Sequence, residues 1–389
     1  MLLAHLLGHL SACRPWRKMA VSLLPLLPIA FLFGSCKAAG GGSAAPLSVF
    51  QTGWSAYERM VDAEILDHSR LCRLIAQHLS SKLQTRSSAG STSSDFRVLD
   101  LGSGDSKHFL KILNEVAVLL SSSAQTPIPS SSSSLHYTGV DSSSFALGLA
   151  DKALRAYQTE TGKSTNDDAG GRGAKLQIKS FALIESDLTE FVSASVEADP
   201  SSSSFPFPFF AAAAAADGGG PASSPEAKGS PGAAGSDFDL VLASFVLHHL
   251  DDSGKADCLR NVRGLIRQGG WLVVADVFLK EGHSREEYIK ELWEDVDSPR
   301  WTEVFTETER QMLWTHMESS DFPSSISQYR QWGLHGGFSS VEVLGDLRWT
   351  CVVVADTQLG NSIEVYDPSQ ASDREASDFV TQTGRHSEL

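Results

Sequence analysis

Residues 98–105 read Val-Leu-Asp-Leu-Gly-Ser-Gly-Asp, and the next apolar run, Tyr137-Thr-Gly-Val-Asp141, ends in an acid. The first run is a short strand that stops at two glycines and opens directly onto a helical pattern. Glycine lets the backbone approach a ligand closely, and a helix N-terminus presents free N–H groups. The turn Gly102-Ser103-Gly104 is therefore suited to face a nucleotide-like ligand. An acid at the tip of the following strand is placed to accept hydrogen bonds from a ribose diol.

Outward from this turn, apolar periodicity predicts strands at 97–101, 135–140, about 176–184, 238–243, 271–277, about 339–344 and 348–355. Helical spacing falls at 54–83, as one or two helices, and near 107–120, 143–158, 188–196, 253–267, 284–296 and 324–335. Strand–helix alternation predicts an α/β, doubly wound, mostly parallel seven-stranded sheet of Rossmann-like form. Gly345-Asp346 between the last two apolar runs reads as a hairpin turn, so a C-terminal antiparallel hairpin is expected to close the sheet.

The chain divides into a leader and linker (1–48), a main domain (49–356) and a polar tail (357–389) read as disordered and acidic. Low-complexity inserts at 121–134, 159–173 and 199–236 interrupt the domain. Each follows a helix and precedes a strand, at the sheet edge opposite the one where ligands bind. The loops that should hold ligand, 101–106, 141–144, 186–189 and 243–250, carry no insertion.

The formal net charge of −15 is unevenly spread: residues 1–57 hold Arg14, Arg17, Lys18 and Lys37 and no acid. So acidic a body repels a phosphate backbone, and no basic cluster with interleaved aromatics is present, which argues against a nucleic-acid partner. Met19 to Phe33 is an apolar run broken by Pro25 and Pro28, short for a membrane span and similar to a signal h-region. The expected destination is an organelle reached through this leader (plastid, mitochondrion or ER), with membrane contact only through the leader if it is retained as an anchor. His386-Ser-Glu-Leu389 distantly resembles an ER-retrieval tail. In the body Cys72, Cys258 and Cys351 are odd in number and far apart, so neither a disulfide framework nor a metal-ligand spacing is read, and no metal is expected.

Further pieces follow in order: Glu185-Ser-Asp-Leu188, then Phe238-Asp-Leu-Val-Leu-Ala-Ser-Phe-Val-Leu-His-His-Leu250, then Gly269-Gly-Trp-Leu-Val-Val-Ala-Asp276, then Gly336-Gly-Phe-Ser-Ser-Val341. With the first motif and Asp141, this order resembles the class I S-adenosylmethionine-dependent methyltransferases over about residues 54–356. The resemblance implies S-adenosyl-L-methionine as cofactor. Gly102, Ser103 and Gly104 would pass under its methionine part, Asp100 would bind the ammonium group, and Asp141, followed by Ser142, would hold the ribose. Asp187 and the Leu188 N–H would meet the adenine, and Ala243 and Ser244 would sit beside the sulfonium. Ser106 stands where the family often has a third glycine, and a capping hydroxyl is expected of it. Asp239 is read as structural.

Methyl transfer needs a base only for a protonated acceptor. His249 is the candidate catalytic residue and His316 a second. Adjacent residues in extended backbone point in opposite directions, so only one of His248 and His249 is expected to face the site. Tyr288, Trp293, Trp301, Phe305, Trp314, His316 and Phe322 either pack a lid or line a pocket for the expected small-molecule acceptor. Two other classes share the glycine turn: a nicotinamide-dependent oxidoreductase, and a non-catalytic methyltransferase-like assembly factor. The first would not predict the closing hairpin; the second would bind cofactor without turnover. The oligomeric state is not legible.

Overall fold

Strand β1 (Asp95–Leu101) is buried at every position from Val98 to Leu101, the pattern of a strand covered on both faces. It is an interior strand of the sheet. The computed structural model describes residues 49–88, 95–122, 134–167, 176–197 and 238–357. The leader, the insert at 199–236 and the tail after Thr357 lie outside these residues, as does most of the insert at 121–134. No helix among the described residues is long and apolar enough to cross a membrane. The chain separates into two units at Gly53/Trp54, and the packing described here lies within Trp54–Leu389.

The order of elements is α1 (Val49–Asp62), α2 (His68–Ser88), β1, α3 (Lys107–Ser122), β2 (Ser134–Asp141), α4 (Ser144–Asp167), β3 (Ile178–Glu185), α5 (Leu188–Glu197) and β4 (Phe238–Ser244). Then come α6 (Asp252–Leu265), β5 (Ile266–Leu279), α7 (Arg285–Val296), α8 (Pro299–Thr302), α9 (Glu307–Ser320), the two-residue β6 (Ser324–Ser325), α10 (Ile326–His335), β7 (Ser340–Asp346) and β8 (Thr350–Asp356). The spatial order is β3-β2-β1-β4-β5-β8-β7, with β6 added beside β5. Strands β1 to β5 pair in parallel, whereas β8 runs antiparallel to both β5 and β7. The predicted doubly wound sheet with its closing antiparallel hairpin is what forms.

Alternation along the strands feeds two cores. Val98, Tyr137 and Leu240 face Leu71, Ile75 and Leu79 of α2 and Phe109 and Ile112 of α3. Leu99, Leu101 and Val241 face Phe191 of α5, Leu259 and Val262 of α6 and Tyr329 of α10. A third core lies over the carboxyl side: Tyr288 and Leu292 of α7, Trp301 of α8 and Trp314 of α9 pack with Ile65 and Trp349. Inside it, buried Asp295 accepts from the indole N–H groups of Trp301 (3.2 Å) and Trp349 (3.1 Å) and pairs with Arg348 (2.8 Å).

Three expectations need correction. Helix α9 falls in a stretch assigned no element, although its capping box, Thr306 with Glu309, is a readable start signal. Helix α4 runs to Asp167, into the segment read as an insert. Its polar end is helical, and the Thr161 hydroxyl donates back to the Tyr157 carbonyl. Gly345 lies inside β7 at a break in register, not in the turn, which closes at Leu347–Thr350. A Cβ at Gly345 would meet a terminal methyl of Leu74 of α2, so a side chain there would have to displace that leucine. Of the two readings left open for the aromatics, packing is the one met by Tyr288, Trp301, Phe305 and Trp314, which belong to the third core.

Candidate functional site

The β1–α3 turn is shaped by three left-handed residues, Gly102 (φ 68°), Gly104 (φ 51°) and Ser106 (φ 59°). A Cβ at Gly102 would lie 2.6 Å from the Val246 side chain, so β4 and its loop close over the turn only because that position is bare. Gly104 has nothing within 4 Å of where a Cβ would be, and its open side gives on a cleft. Ser106 explains the family's third glycine: the position demands positive φ, which serine adopts here at some strain. Its hydroxyl does not cap α3. It lies 2.9 Å from the Tyr137 hydroxyl, which donates at 2.8 Å to Asp100 Oδ2.

The cleft has a volume of about 100 Å³ and opens to solvent. Asp100, Gly102, Ser103, Gly104 and Ser244 line its floor, with Asp105, Lys107 and His108 from the start of α3 and Tyr57, Glu58, Val61 and Asp62 from α1. Lys107 pairs with Glu58 (2.7 Å) and Asp105 (3.0 Å), tying α1 to the turn. The Ser244 hydroxyl oxygen is buried and has no hydrogen-bond partner among the described residues. Asp141 sits at the tip of β2, where Oδ2 accepts from Gly104 N–H (2.9 Å) and Oδ1 from Ser143 N–H (2.8 Å). A carboxylate offers about four lone-pair sites, so roughly half of its capacity remains for a ligand. Burial raises its pKa, against the pull of those two amides.

Of the other residues singled out in the sequence, Ser142 is exposed beside Asp141, and Ala243 is fully buried in the second core. Asp187 is exposed and caps α5, its Oδ1 accepting from Thr189 N–H (2.8 Å) and Glu190 N–H (3.3 Å), with Leu188 as the first residue of that helix. Asp239 lies at the opposite edge of the sheet, as its structural reading requires. It is paired with Arg86 and Arg267 and accepts from Arg97 N–H at 2.8 Å. Sequence reasoning missed His108, because helical periodicity alone gives no sign that its ring lines the cleft.

Burial pushes the Asp100 carboxyl up to about 7, with Tyr137 opposing and Asp141 reinforcing the rise. The folded chain thus holds a proton that the unfolded chain releases near pH 4, and stability falls between about pH 4 and pH 7. Asp100→Asn keeps the Tyr137 hydrogen bond and removes this penalty. In urea titrations the ligand-free variant should match the wild type near pH 4 and exceed it by a few kcal/mol near pH 8. A constant difference across that range would show that Asp100 titrates normally.

After β4 the chain turns in a short 3-10 segment, Leu247–His249, and is not extended. Successive side chains are then about 120° apart, and the two imidazoles lie with ring centres 4.0 Å apart. His248 is buried, with Nδ1 2.5 Å from Asp276 Oδ1 and its backbone N–H on Oδ2 at 3.0 Å. Burial opposes its charge, but Asp276 and Asp321 outweigh that and hold its pKa above the ordinary histidine value. His249 has Nδ1 3.2 Å from the Ser320 carbonyl and its ring 5.4 Å from that of His316. Burial, then His248 and His316, depress it to about 2, and burial depresses His316 to about 4. Both rings are neutral at physiological pH and weak as proton acceptors.

The sequence matches the model of a family described as a methyltransferase domain over residues 66–318. No curated protein matches it. Similar solved structures include a candidate O-methyltransferase from Nostoc punctiforme, with 15% identity and a TM-score of 0.39, aligned over 81% of this chain and 63% of that one. An O-methyltransferase family protein from Burkholderia thailandensis has 12% identity and a TM-score of 0.35, over 68% of this chain and 52% of that one. The YcgJ protein from Bacillus subtilis has 14% identity and a TM-score of 0.33, over 68% and 70%. The chain thus spans less than two thirds of the length of the first and about half of the second.

Proposed function

From the premise that the chain belongs to the methyltransferase-domain family, we propose that it is an S-adenosylmethionine-dependent methyltransferase acting by in-line transfer on a small-molecule acceptor. The observation that carries this reading is the junction of the glycine turn with Asp141. Gly104, which lines the cleft, donates its N–H to the Asp141 carboxylate, which itself lies just outside the lining, and Asp100 and an unpartnered Ser244 hydroxyl are among the lining residues. The residues fit the cofactor: free acceptor capacity at the ribose position, a bare backbone beneath, and a buried hydroxyl awaiting a partner.

When bound, the cofactor supplies an activated methyl group together with its leaving group. The protein's own contribution is positioning and exclusion of water. Asp141 with Ser142 takes the ribose hydroxyls, and Gly102, Ser103 and Gly104 bring backbone beneath the methionine part. Asp100 meets the ammonium group, whose charge favours the ionised carboxylate. Asp187 and Leu188 flank the adenine, and Ala243 and Ser244 mark the sulfonium end. Tyr57 and Val61 of α1 cover the cleft from above. His249, weak as a base, suits an acceptor that arrives deprotonated or whose proton leaves to water.

The direct test incubates the chain with methyl-tritiated S-adenosylmethionine and the small-molecule fraction of a cell extract. Label is expected in a low-mass product, and Asp141→Ala should abolish it. Label confined to macromolecules would overturn the acceptor class, and cofactor binding without any transfer would indicate an assembly factor.

A further inference from the structure

We propose that His248, His249 and Asp321 form a binding site for one divalent transition-metal ion of the zinc class. The site goes beyond the methyl-transfer reading and does not depend on it. One donor atom from each residue lies within 4.8 Å of the other two. Asp321 Oδ1 is 3.7 Å from His248 Nε2 and 3.7 Å from His249 Nδ1. Those separations are too long for hydrogen bonds. They suit two ligands joined through an ion: with metal–ligand distances of about 2.0–2.2 Å, 3.7 Å subtends roughly 125° at the metal.

The second observation is Asp321 itself. Its side chain is 6% exposed, and Oδ1 has no hydrogen-bond partner among the described residues. A buried carboxylate oxygen left without a hydrogen bond calls for a partner such as an ion, and the two imidazole nitrogens face it across 3.7 Å. Lys255, the buried cation of the same neighbourhood, directs its Nζ to the carbonyls of Leu250 (2.5 Å) and Phe322.

The protonation pattern is also that of a metal site. Asp276 is fully buried and accepts from the His248 and Val277 backbone N–H groups (3.0 and 2.8 Å). It also engages His248 Nδ1, so that Nε2 is the nitrogen facing Asp321, and an ion bound there displaces any proton on that nitrogen. A carboxylate behind the imidazole is the usual support for a ligating histidine. On His249 the single ring proton moves to Nε2 when Nδ1 ligates, and Nδ1 gives up its 3.2 Å contact with the Ser320 carbonyl, which must shift aside. Two nitrogens and one oxygen suit zinc-class ions better than magnesium or calcium, which prefer all-oxygen shells. Three protein ligands leave one position open. The three residues lie near the carboxyl edge of the sheet, where Ser244 pairs with Ala275 beside Asp276. The signal is absent from the sequence because Asp321 stands 72 residues from His249.

The test uses the full chain, stripped with a chelator and titrated with CoCl2. One equivalent should bind with visible ligand-field bands, be displaced by ZnCl2, and give paramagnetically shifted ring protons from two histidines. Asp321→Asn and His249→Gln should each weaken binding at least about 100-fold, and Asp276→Asn about 10–100-fold. Less than one equivalent bound by the wild type, no shifted histidine signals, or unchanged affinity in a folded Asp321→Asn would each overturn the site. S-adenosylhomocysteine binding, measured on the same samples, reports separately on the cofactor cleft.

Discussion

Replacing Asp141 with alanine should weaken S-adenosylhomocysteine binding by at least about 100-fold while leaving the melting temperature of the ligand-free chain nearly unchanged. On the proposed reading the carboxylate is a charged acceptor for the ribose, and each hydrogen bond to a charged group contributes about 1.5–3 kcal/mol. Two ribose hydroxyls therefore account for roughly 3–6 kcal/mol. Part of the loss arises indirectly, since the Gly104 and Ser143 N–H groups lose their acceptor and the turn loses its fixed relation to β2. The stability cost is small because Asp141 is only half-buried and burial already disfavours its charge. Calorimetric titration of both proteins measures the difference. An affinity within about threefold of the wild type would remove Asp141 from the site.

Asp239→Ala should do the reverse. It is expected to lower unfolding stability by about 3–5 kcal/mol, the range for breaking a buried ion pair from one side, and to leave cofactor affinity intact. Asp239 is 1% exposed and joins Arg86 of α2, Arg267 of β5 and the Arg97 N–H of β1 at the amino edge of the sheet. Its removal leaves two partly buried guanidinium groups against one another. Burial and its neighbours Arg86 and Arg97 already depress Arg267 to about 10. Urea unfolding reads the loss. A change below about 1 kcal/mol would mean that both arginines find solvent without strain. With both outcomes as expected, the two acids separate ligand recognition at one edge of the sheet from stability at the other.

The sheet was legible because buried parallel strands are written as short apolar runs, and each was bounded by glycine or by a helical pattern. The turn was legible for a related reason: Gly102 and Gly104 occupy positions where the backbone must be left-handed and bare. Ser106 shows the limit of that reading. Its residue type suggested a cap, but its hydroxyl is turned inward to Tyr137 and Asp100, a partnership that only the pairing of β1 with β2 creates.

The histidine pair was misread for a local reason and a distant one. Locally, the 3-10 turn replaced the extended backbone assumed for Leu247–His249. At a distance, the chain from α7 to α9 brings Asp321 back against the end of β4, where Phe322 N–H donates to the His248 carbonyl at 2.7 Å. The lid aromatics were ambiguous in sequence because residues that fill a core and residues that line a pocket have the same composition. The buried Asp295 and its two tryptophan donors settle that they fill a core.

The most direct measurement is the melting temperature of the full chain with S-adenosylhomocysteine and, separately, with NAD. A ligand held in the folded cleft stabilises by mass action, by about 2.7 kcal/mol at a hundred times its dissociation constant. Stabilisation by S-adenosylhomocysteine, none by NAD, and loss of the effect in Asp141→Ala are the predicted results. Stabilisation by NAD alone would contradict the account.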